Sequence, residues 1–268
     1  MTVTTTATAG TSVKPRQANP ATVTTLAIDI GGTGLKASVL DRAGRMLTDR
    51  ARIATTYPVT PNQMVDQLCG LVKPLPAFDR ISVGFPGVVR HGRIFTAPHL
   101  VTVAGPGSKP GDDLVHQWTG FAFGDALAAA LGKPVRVLND ADLQGLDVMT
   151  GLGLEVIITL GTGFGTAVFA DGHLGPHLEL SQHRFRQGET YDDQLGDQAR
   201  KQIGNRKWNK RLSQAIATLH TLFLYDHLYL GGGNTRHITI TLPDNVTIID
   251  ANAGLLGGLR LWDLDPTP

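Results

Sequence analysis

Cysteine is nearly absent: Cys69 is the only one in 268 residues. A single thiol excludes an internal disulfide and any cysteine-rich zinc site, and it fits a reducing, cytoplasmic setting. Neither sign of charge is in excess, with 24 Lys and Arg against 23 Asp and Glu. The whole chain therefore offers no field for a nucleic-acid backbone or a membrane surface, and any anion site must be local. No stretch approaches eighteen consecutive apolar residues, so no membrane-spanning helix is expected. None of the nine histidines stands at a metal-ligand spacing. Residues 1–20 are rich in Thr and Ala and lack both a basic start and an apolar run, so 1–21 is expected to be a disordered tail rather than a signal peptide. Two common phosphate-binding patterns are also missing: G-x-x-x-x-G-K-S/T before a helix, and G-x-G-x-x-G opening one.

What is present centres on residues 26–40, LAIDIGGTGLKASVL. An apolar strand ends at Asp29, a glycine turn follows, and a second apolar run predicts a β-hairpin. The turn's N–H groups and the Thr33 hydroxyl can hold a phosphate. Asp29 can hold the Mg²⁺ that escorts it, and Lys36 adds a cation. A structural hairpin with an incidental carboxylate is the plain alternative.

Further along, 46–54 alternates as a strand, 61–72 has helical spacing, and 81–83 is a short buried strand. Residues 88–95 predict a hairpin around His91-Gly92, and the Gly- and Pro-rich 102–113 a loop. A helix over 123–131, a strand over 135–138 and a helix over 141–149 place Asn139-Asp140 at a strand's carboxyl end, where open α/β sheets bind ligands. An Asx pair there also caps helices. Residues 155–160 and 166–170 are strands flanking Gly161-Thr162-Gly163, which repeats the opening plan and suggests two similar lobes facing one ligand. Helices over 191–203 and 208–225 follow. The strand 228–230 runs into Gly231-Gly232-Gly233-Asn234, bare backbone on which a nucleobase and ribose can lie. A strand over 246–249 and a helix over 251–262 close the chain. Trp118 and Trp208 read as core or interface residues.

Four motifs thus stand in order: D-I-G-G-T at Asp29, N-D-A-D at Asn139, L-G-T-G-F-G at Leu160 and G-G-G-N at Gly231. From about residue 24 to 262 they resemble the ROK branch of the actin-like sugar kinases. The stretches ETYDDQLG, NRKWNKRL, LYLGGGN and AGLLGG resemble the polyphosphate glucokinases within that branch, and the whole pattern is similar to their polyphosphate/ATP glucomannokinase subtype. The resemblance implies an α/β, actin-like (ribonuclease H-like) fold of two lobes around a central cleft. The expected N-terminal lobe is 22–138 plus 252–268 and the C-terminal lobe 139–251, with the closing helix packed back on the first. It implies transfer of a phosphoryl group from polyphosphate or ATP, with Mg²⁺, to the 6-hydroxyl of glucose and of mannose. Asp140 matches the general base, and Asn139 and Glu179 match sugar ligands, with Gly87, His99 and Glu189 beside them. Asp29, Gly31, Gly32, Thr33, Gly34 and Lys36 match the first phosphate motif. Gly161, Thr162 and Gly163 match the second, and Gly231, Gly232, Gly233 and Asn234 the adenosine motif.

The chain departs from the family pattern in three places. It cannot build the structural zinc motif of many ROK members. The family's histidine three residues after the glutamate is Gln182, with His183 next to it, so either can face the sugar. The sugar loop reads Ala97-Pro98-His99 where relatives carry Asn, which ties the mannose expectation to that loop. For the donor, Arg200, Lys201, Arg206, Lys207, Lys210 and Arg211 form a basic cluster. Lys207, Lys210 and Arg211 share a helix face that can track polyphosphate, or that is simply solvated. Arg184 and Arg186 are secondary candidates. The rival readings are an ATP-only hexokinase, an actin-like ATPase, an N-acetylated amino-sugar kinase and a sugar-sensing repressor. The last is disfavoured because about twenty residues before the first strand are too few for a helix-turn-helix domain. Monomer and homodimer both stay open.

Overall fold

The computed structural model describes residues 23–250 and 253–264. The expected tail, 1–21, lies outside them. In chain order, β1 (Thr25–Ile30), β2 (Gly34–Leu40), β3 (Ala51–Ala54), α1 (Pro61–Val72) and β4 (Arg80–Phe85) open the fold. The hairpin β5 (Val89–Arg90) and β6 (Arg93–Ile94) leads to α2 (Asp112–Trp118), α3 (Phe123–Leu131), β7 (Val135–Asn139) and α4 (Asp140–Val148). Next come β8 (Leu154–Leu160), β9 (Phe164–Ala170), β10 (His173–Leu174), β11 (Arg184–Arg186) and β12 (Glu189–Thr190). Helices α5 (Tyr191–Leu195), α6 (Asp197–Ile203) and α7 (Asn205–Phe223), strands β13 (His227–Gly231) and β14 (Val246–Ile248), and helix α8 (Ala253–Arg260) complete it.

Two five-stranded sheets carry the architecture, in the orders β3-β2-β1-β4-β7 and β10-β9-β8-β13-β14. In each, a central hairpin is antiparallel (β1 with β2, β8 with β9), and two parallel strands extend the other side. The repeat suggested by the two glycine-threonine turns is therefore a repeat of sheet topology. Each sheet has its own core: Leu26, Ile28, Val83, Phe85 and Trp118 in the first, and Val156, Ile158, Trp208, Leu212 and Leu230 in the second. Trp118 and Trp208 are fully packed, the first donating to the Val59 carbonyl and the second to that of Leu195.

Helix α4 bridges the sheets, burying Leu143 and Leu146 with Ile157 and Phe169. Helix α8 crosses it so closely that a Cβ on Gly257 would run into the Leu143 carbonyl. It also returns to the first sheet, where the Ser82 hydroxyl donates to the Gly258 carbonyl at 2.5 Å and Leu255 packs on Ala27 and Leu40. The closing helix thus packs back on the N-terminal sheet; residues 251–252 of its expected span lie outside the described residues.

Four expected elements differ. The strand over 46–54 shortens to β3, because Asp41 Oδ1 accepts the Ala43 and Arg45 N–H groups and folds 41–45 into a tight turn. Met46 keeps one isolated bridge to Leu40. The loop over 102–113 holds through residue 111, but its last two residues open a helix, α2, that was not expected and is anchored by buried Leu114 and Trp118 one turn apart. The helix over 191–203 breaks at Gly196, and the last long helix begins earlier than 208, at Asn205.

Candidate active site

The two glycine turns face each other across a cleft of about 370 Å³ between the sheets. Asp29, Gly31, Gly32, Thr33, Gly34 and Lys36 line one side. Gly161, Thr162 and Gly163 line the other. Gly31 N–H donates to the Gly34 carbonyl and Gly161 N–H to that of Gly163, each at 3.0 Å, so both turns are closed by their own backbone. Gly32 is tightly packed: a Cβ would stand 3.0 Å from Pro106, 3.2 Å from His99 and 3.3 Å from Thr162. Tyr57 fixes this turn through its hydroxyl, which lies 2.6 Å from the Gly32 carbonyl. Lys36 is spent on Asp29, Nζ to Oδ2 at 2.8 Å, directly across the β1–β2 ladder.

Asp140 is the first residue of α4 and lines the cleft floor. Burial, then the nearby charge of Asp29, pushes its carboxyl up to about 7, against the bond it accepts from the Ala141 N–H. Asn139 lines the cleft, but its polar atoms serve the scaffold. Oδ1 caps α4 through the N–H groups of Ala141 (2.8 Å) and Asp142 (3.3 Å), and Nδ2 donates to the Gly87 carbonyl at 3.1 Å. It places Asp140 and the Gly87 loop rather than offering a free group to a sugar. Gly87 and His99 line the cleft as expected, and Gly87 is packed so tightly on the Thr96 carbonyl that no Cβ fits.

Glu179 lines the cleft with Ser181, whose hydroxyl donates to Oε1 at 2.5 Å. Burial would raise the Glu179 carboxyl, but hydrogen bonds from His177 and Ser181 hold it below the usual range. Gln182 and His183 are exposed and do not line the cleft. A short 3₁₀ turn, Leu180–Gln182, rotates them outward. The histidine beside Glu179 is His177. Glu189 also stays off the cleft wall and takes a short hydrogen bond from Gln194.

Of the adenosine motif, Gly232, Gly233 and Asn234 line the cleft. Gly231 does not; it is a packing glycine whose Cβ would meet Gln144 and Ile249. Gly232, at φ +86°, lies against the backbone of Leu160, while Gly233 is open. Asn234 donates from Nδ2 to the Gly161 carbonyl at 3.0 Å, tying this motif to the second phosphate turn. The helix break serves the same turn: Asp197 N–H donates to the Gly161 carbonyl at 3.0 Å.

The basic cluster does not reach the cleft wall. Asp197 holds Arg200 at 2.7 Å and Lys201 at 2.6 Å. Lys207 and Lys210 are exposed on α7, as is Arg206, and Arg211 reaches back to the Gln194 carbonyl. Arg184 is exposed, and Arg186 lies on a separate shallow groove with Gln214 and Thr218. The cleft's own arginines, Arg52 and Arg236, were not anticipated. Arg52 comes from the edge strand β3, with Nε 3.7 Å from where a Gly34 Cβ would be. Asp192 was missed as well. Its Oδ1 accepts the Phe164 N–H at 2.6 Å and its Oδ2 lies 3.6 Å from His99 Nε2, so the lobes touch at the rim. Gly107 closes the same rim against Gln198 of α6.

Mg²⁺ binds through one or two carboxylates together with substrate phosphates. Asp29, with the hydroxyls of Thr33 and Thr162 on the same cleft, offers oxygen ligands of that kind. Among the described residues no group of three or more His, Cys, Asp or Glu is placed to hold a metal by itself, so this set fits an ion that arrives with phosphate.

The family pattern described as "ROK family" matches residues 25–176. The polyphosphate glucokinase of Mycobacterium tuberculosis is 28% identical over 257 residues, which cover 90% of this chain and 91% of that protein. The structure of the inorganic polyphosphate/ATP-glucomannokinase of Arthrobacter sp. strain KM is similar with a TM-score of 0.75 at 27% identity, over 88% of this chain and 97% of that one. The fold is also that of a ROK family glucokinase from Streptomyces griseus determined in complex with glucose and AMPPNP, with a TM-score of 0.66 at 19% identity over 89% and 98% of the two chains.

Proposed function

The chain belongs to the ROK family and has its actin-like two-lobed fold, and from that premise we propose that it is a hexose kinase which transfers a phosphoryl group from polyphosphate or ATP to the 6-hydroxyl of glucose and of mannose. The observation that carries this reading is Asp140: a carboxyl at the floor of an interlobe cleft, flanked by two glycine-threonine turns and pushed up to about 7. A general base works best with a pKa near the operating pH, and such a base is typically worth about 10²–10⁴-fold.

Asp140 takes the proton of the 6-hydroxyl as the oxygen–phosphorus bond forms and the donor's bridging P–O bond breaks. Glu179 accepts hydrogen bonds from ring hydroxyls, and Asn139 keeps Asp140 in place. The two turns cradle the donor phosphates through backbone N–H groups and the hydroxyls of Thr33 and Thr162. Asp29 would hold Mg²⁺ together with those phosphates; when bound, the ion neutralises charge on the transferring group. The contact of His99 with Asp192 closes the rim and limits hydrolysis. The proposed lobes are residues 22–138 plus 252–268 and residues 139–251.

An ATP-only hexokinase is the second reading. The open backbone of Gly233 favours it, as does the position of the α7 lysines off the cleft wall. The test is sugar 6-phosphate formation with Mg²⁺ from glucose and from mannose, each with ATP and with polyphosphate. Asp140→Asn is expected to keep hexose binding and lose at least about 10²-fold in turnover; turnover near that of the native protein would overturn the base assignment.

A further inference from the structure

His177 is buried between two carboxylates that belong to different parts of the site. Its Nδ1 lies 3.1 Å from Asp142 Oδ2, and its Nε2 lies 3.5 Å from Glu179 Oε2. Its side chain is 10% exposed and that of Asp142 4%, whereas Glu179 is 26% exposed and faces the cleft. Asp142 stands two residues after Asp140 in the first turn of α4. One imidazole thus connects the helix that carries Asp140 to the carboxylate that meets the sugar. Ser181 holds the other Glu179 oxygen by a hydrogen bond, whereas Oε2 meets His177 only as an ion pair at 3.5 Å.

We propose that His177 is the positioning residue for hexose recognition: by bridging Asp142 and Glu179 it fixes the orientation of the Glu179 carboxylate as an acceptor for adjacent ring hydroxyls. The proposal rests on the hexose-kinase reading above. Asp142 and Glu179 flank the same imidazole, and without a cation between them their like charges would favour protonation of one. Burial alone would lower the imidazole, but the hydrogen bonds and charges of both carboxylates push it up to about 10, while burial still holds the Asp142 carboxyl above its ordinary value. A protonated Glu179 would offer a donor where sugar hydroxyls need an acceptor. His177 itself does not line the cleft, so it acts through Glu179.

The experiment compares His177→Gln with the native protein in steady-state kinetics for glucose, mannose and each donor. The expected result is a rise of about tenfold or more in hexose KM, the scale of one lost charge-assisted hydrogen bond. The expected kcat stays within about threefold and donor KM is unchanged. Discrimination between glucose and mannose should shrink. A purely structural role would move kcat, both KM values and thermal stability together, and that pattern, or an unchanged hexose KM, overturns the proposal. Asp142→Asn loosens the imidazole from behind without touching Glu179. It should shift hexose KM in the same direction, and it decides the matter if His177→Gln does not fold. If the native protein phosphorylates no hexose with either donor, the hexose-kinase reading fails instead, and the variants are then compared by direct hexose binding.

Discussion

Asp140 couples stability to catalysis. Its folded-state carboxyl sits near 7, well above the ordinary value of 3.8. The proton is thus held more tightly in the folded chain than in the unfolded one. The sign follows from linkage: Asp140 favours the folded state at low pH, and that contribution is lost as pH rises from about 4 through 7. Asp140→Asn should therefore match the native protein in Tm at pH 4 and exceed it by several degrees at pH 8, since a rise from 3.8 to about 7 corresponds to at most about 4 kcal/mol. Catalysis runs the other way, since only the ionised carboxylate can accept a proton. The kcat/KM for hexose should rise tenfold per pH unit below about 7 and level off above it. A flat profile from pH 5 to 8 would show that Asp140 is not the base. The Asn139-Asp140 pair was legible in the sequence because a strand, two polar residues and a helix fix where those residues stand. The partner of Glu179 was not legible. The family pattern set Gln182 or His183 to face the sugar, but the short turn over Leu180–Gln182 sends both outward and leaves His177 inside.

At the scale of elements, legibility followed local chemistry. Helix α1 begins at Pro61 and ends at Val72 as expected, because Thr60 and Gln63 form a reciprocal cap with Pro61 in the first turn. The hairpin of β5 and β6 turns at His91-Gly92, both at positive φ. The break at Gly196 has no local cause strong enough to be read. Its neighbours favour helix, and the interruption is imposed from across the molecule. A Cβ on Gly196 would stand 2.8 Å from the Thr162 carbonyl and 2.9 Å from that of Asp192. The second phosphate turn therefore rests directly on this glycine, and Asp197 beyond the break donates its N–H to Gly161. Gly196→Ala must push that turn. It should destabilise the fold by about 1–3 kcal/mol in urea denaturation. It should also raise donor KM by about tenfold or more while hexose binding stays near native, because misplacement by an ångström or less is enough to cost that much. Equal effects on donor and hexose would indicate general loosening rather than a shift of the turn.

At the scale of the whole molecule, near-zero net charge left the location of any anion site open, and the densest basic run in the sequence drew attention to α7. In three dimensions the charges sort differently. Lys36 is committed to Asp29, and Arg200 and Lys201 to Asp197. Lys207 and Lys210 stay off the cleft wall. The cleft's remaining guanidinium groups are Arg52 on the N-terminal sheet and Arg236 after the glycine run of the C-terminal one. No pattern in the sequence singled them out, since strand pairing brings the first to its turn and a 3₁₀ turn, Thr235–His237, brings the second. A linear polyphosphate carries charge along its whole length and has no base to lay on Gly233, so it depends on fixed cations more than ATP does. Arg52→Ala and Arg236→Ala should each lower kcat/KM with polyphosphate by about tenfold or more, the scale of one lost charge-assisted contact, and cost ATP less. The salt dependence of polyphosphate use should flatten in the double variant, because fewer counterions are released. Lys207→Ala with Lys210→Ala serves as the counter-test. If that pair lowers polyphosphate use and the arginine pair does not, the donor runs along α7 and enters the cleft only at its terminal phosphates. If both pairs lower it, the chain spans from the cleft to α7, and activity should then rise with polyphosphate length until both sets of cations are engaged.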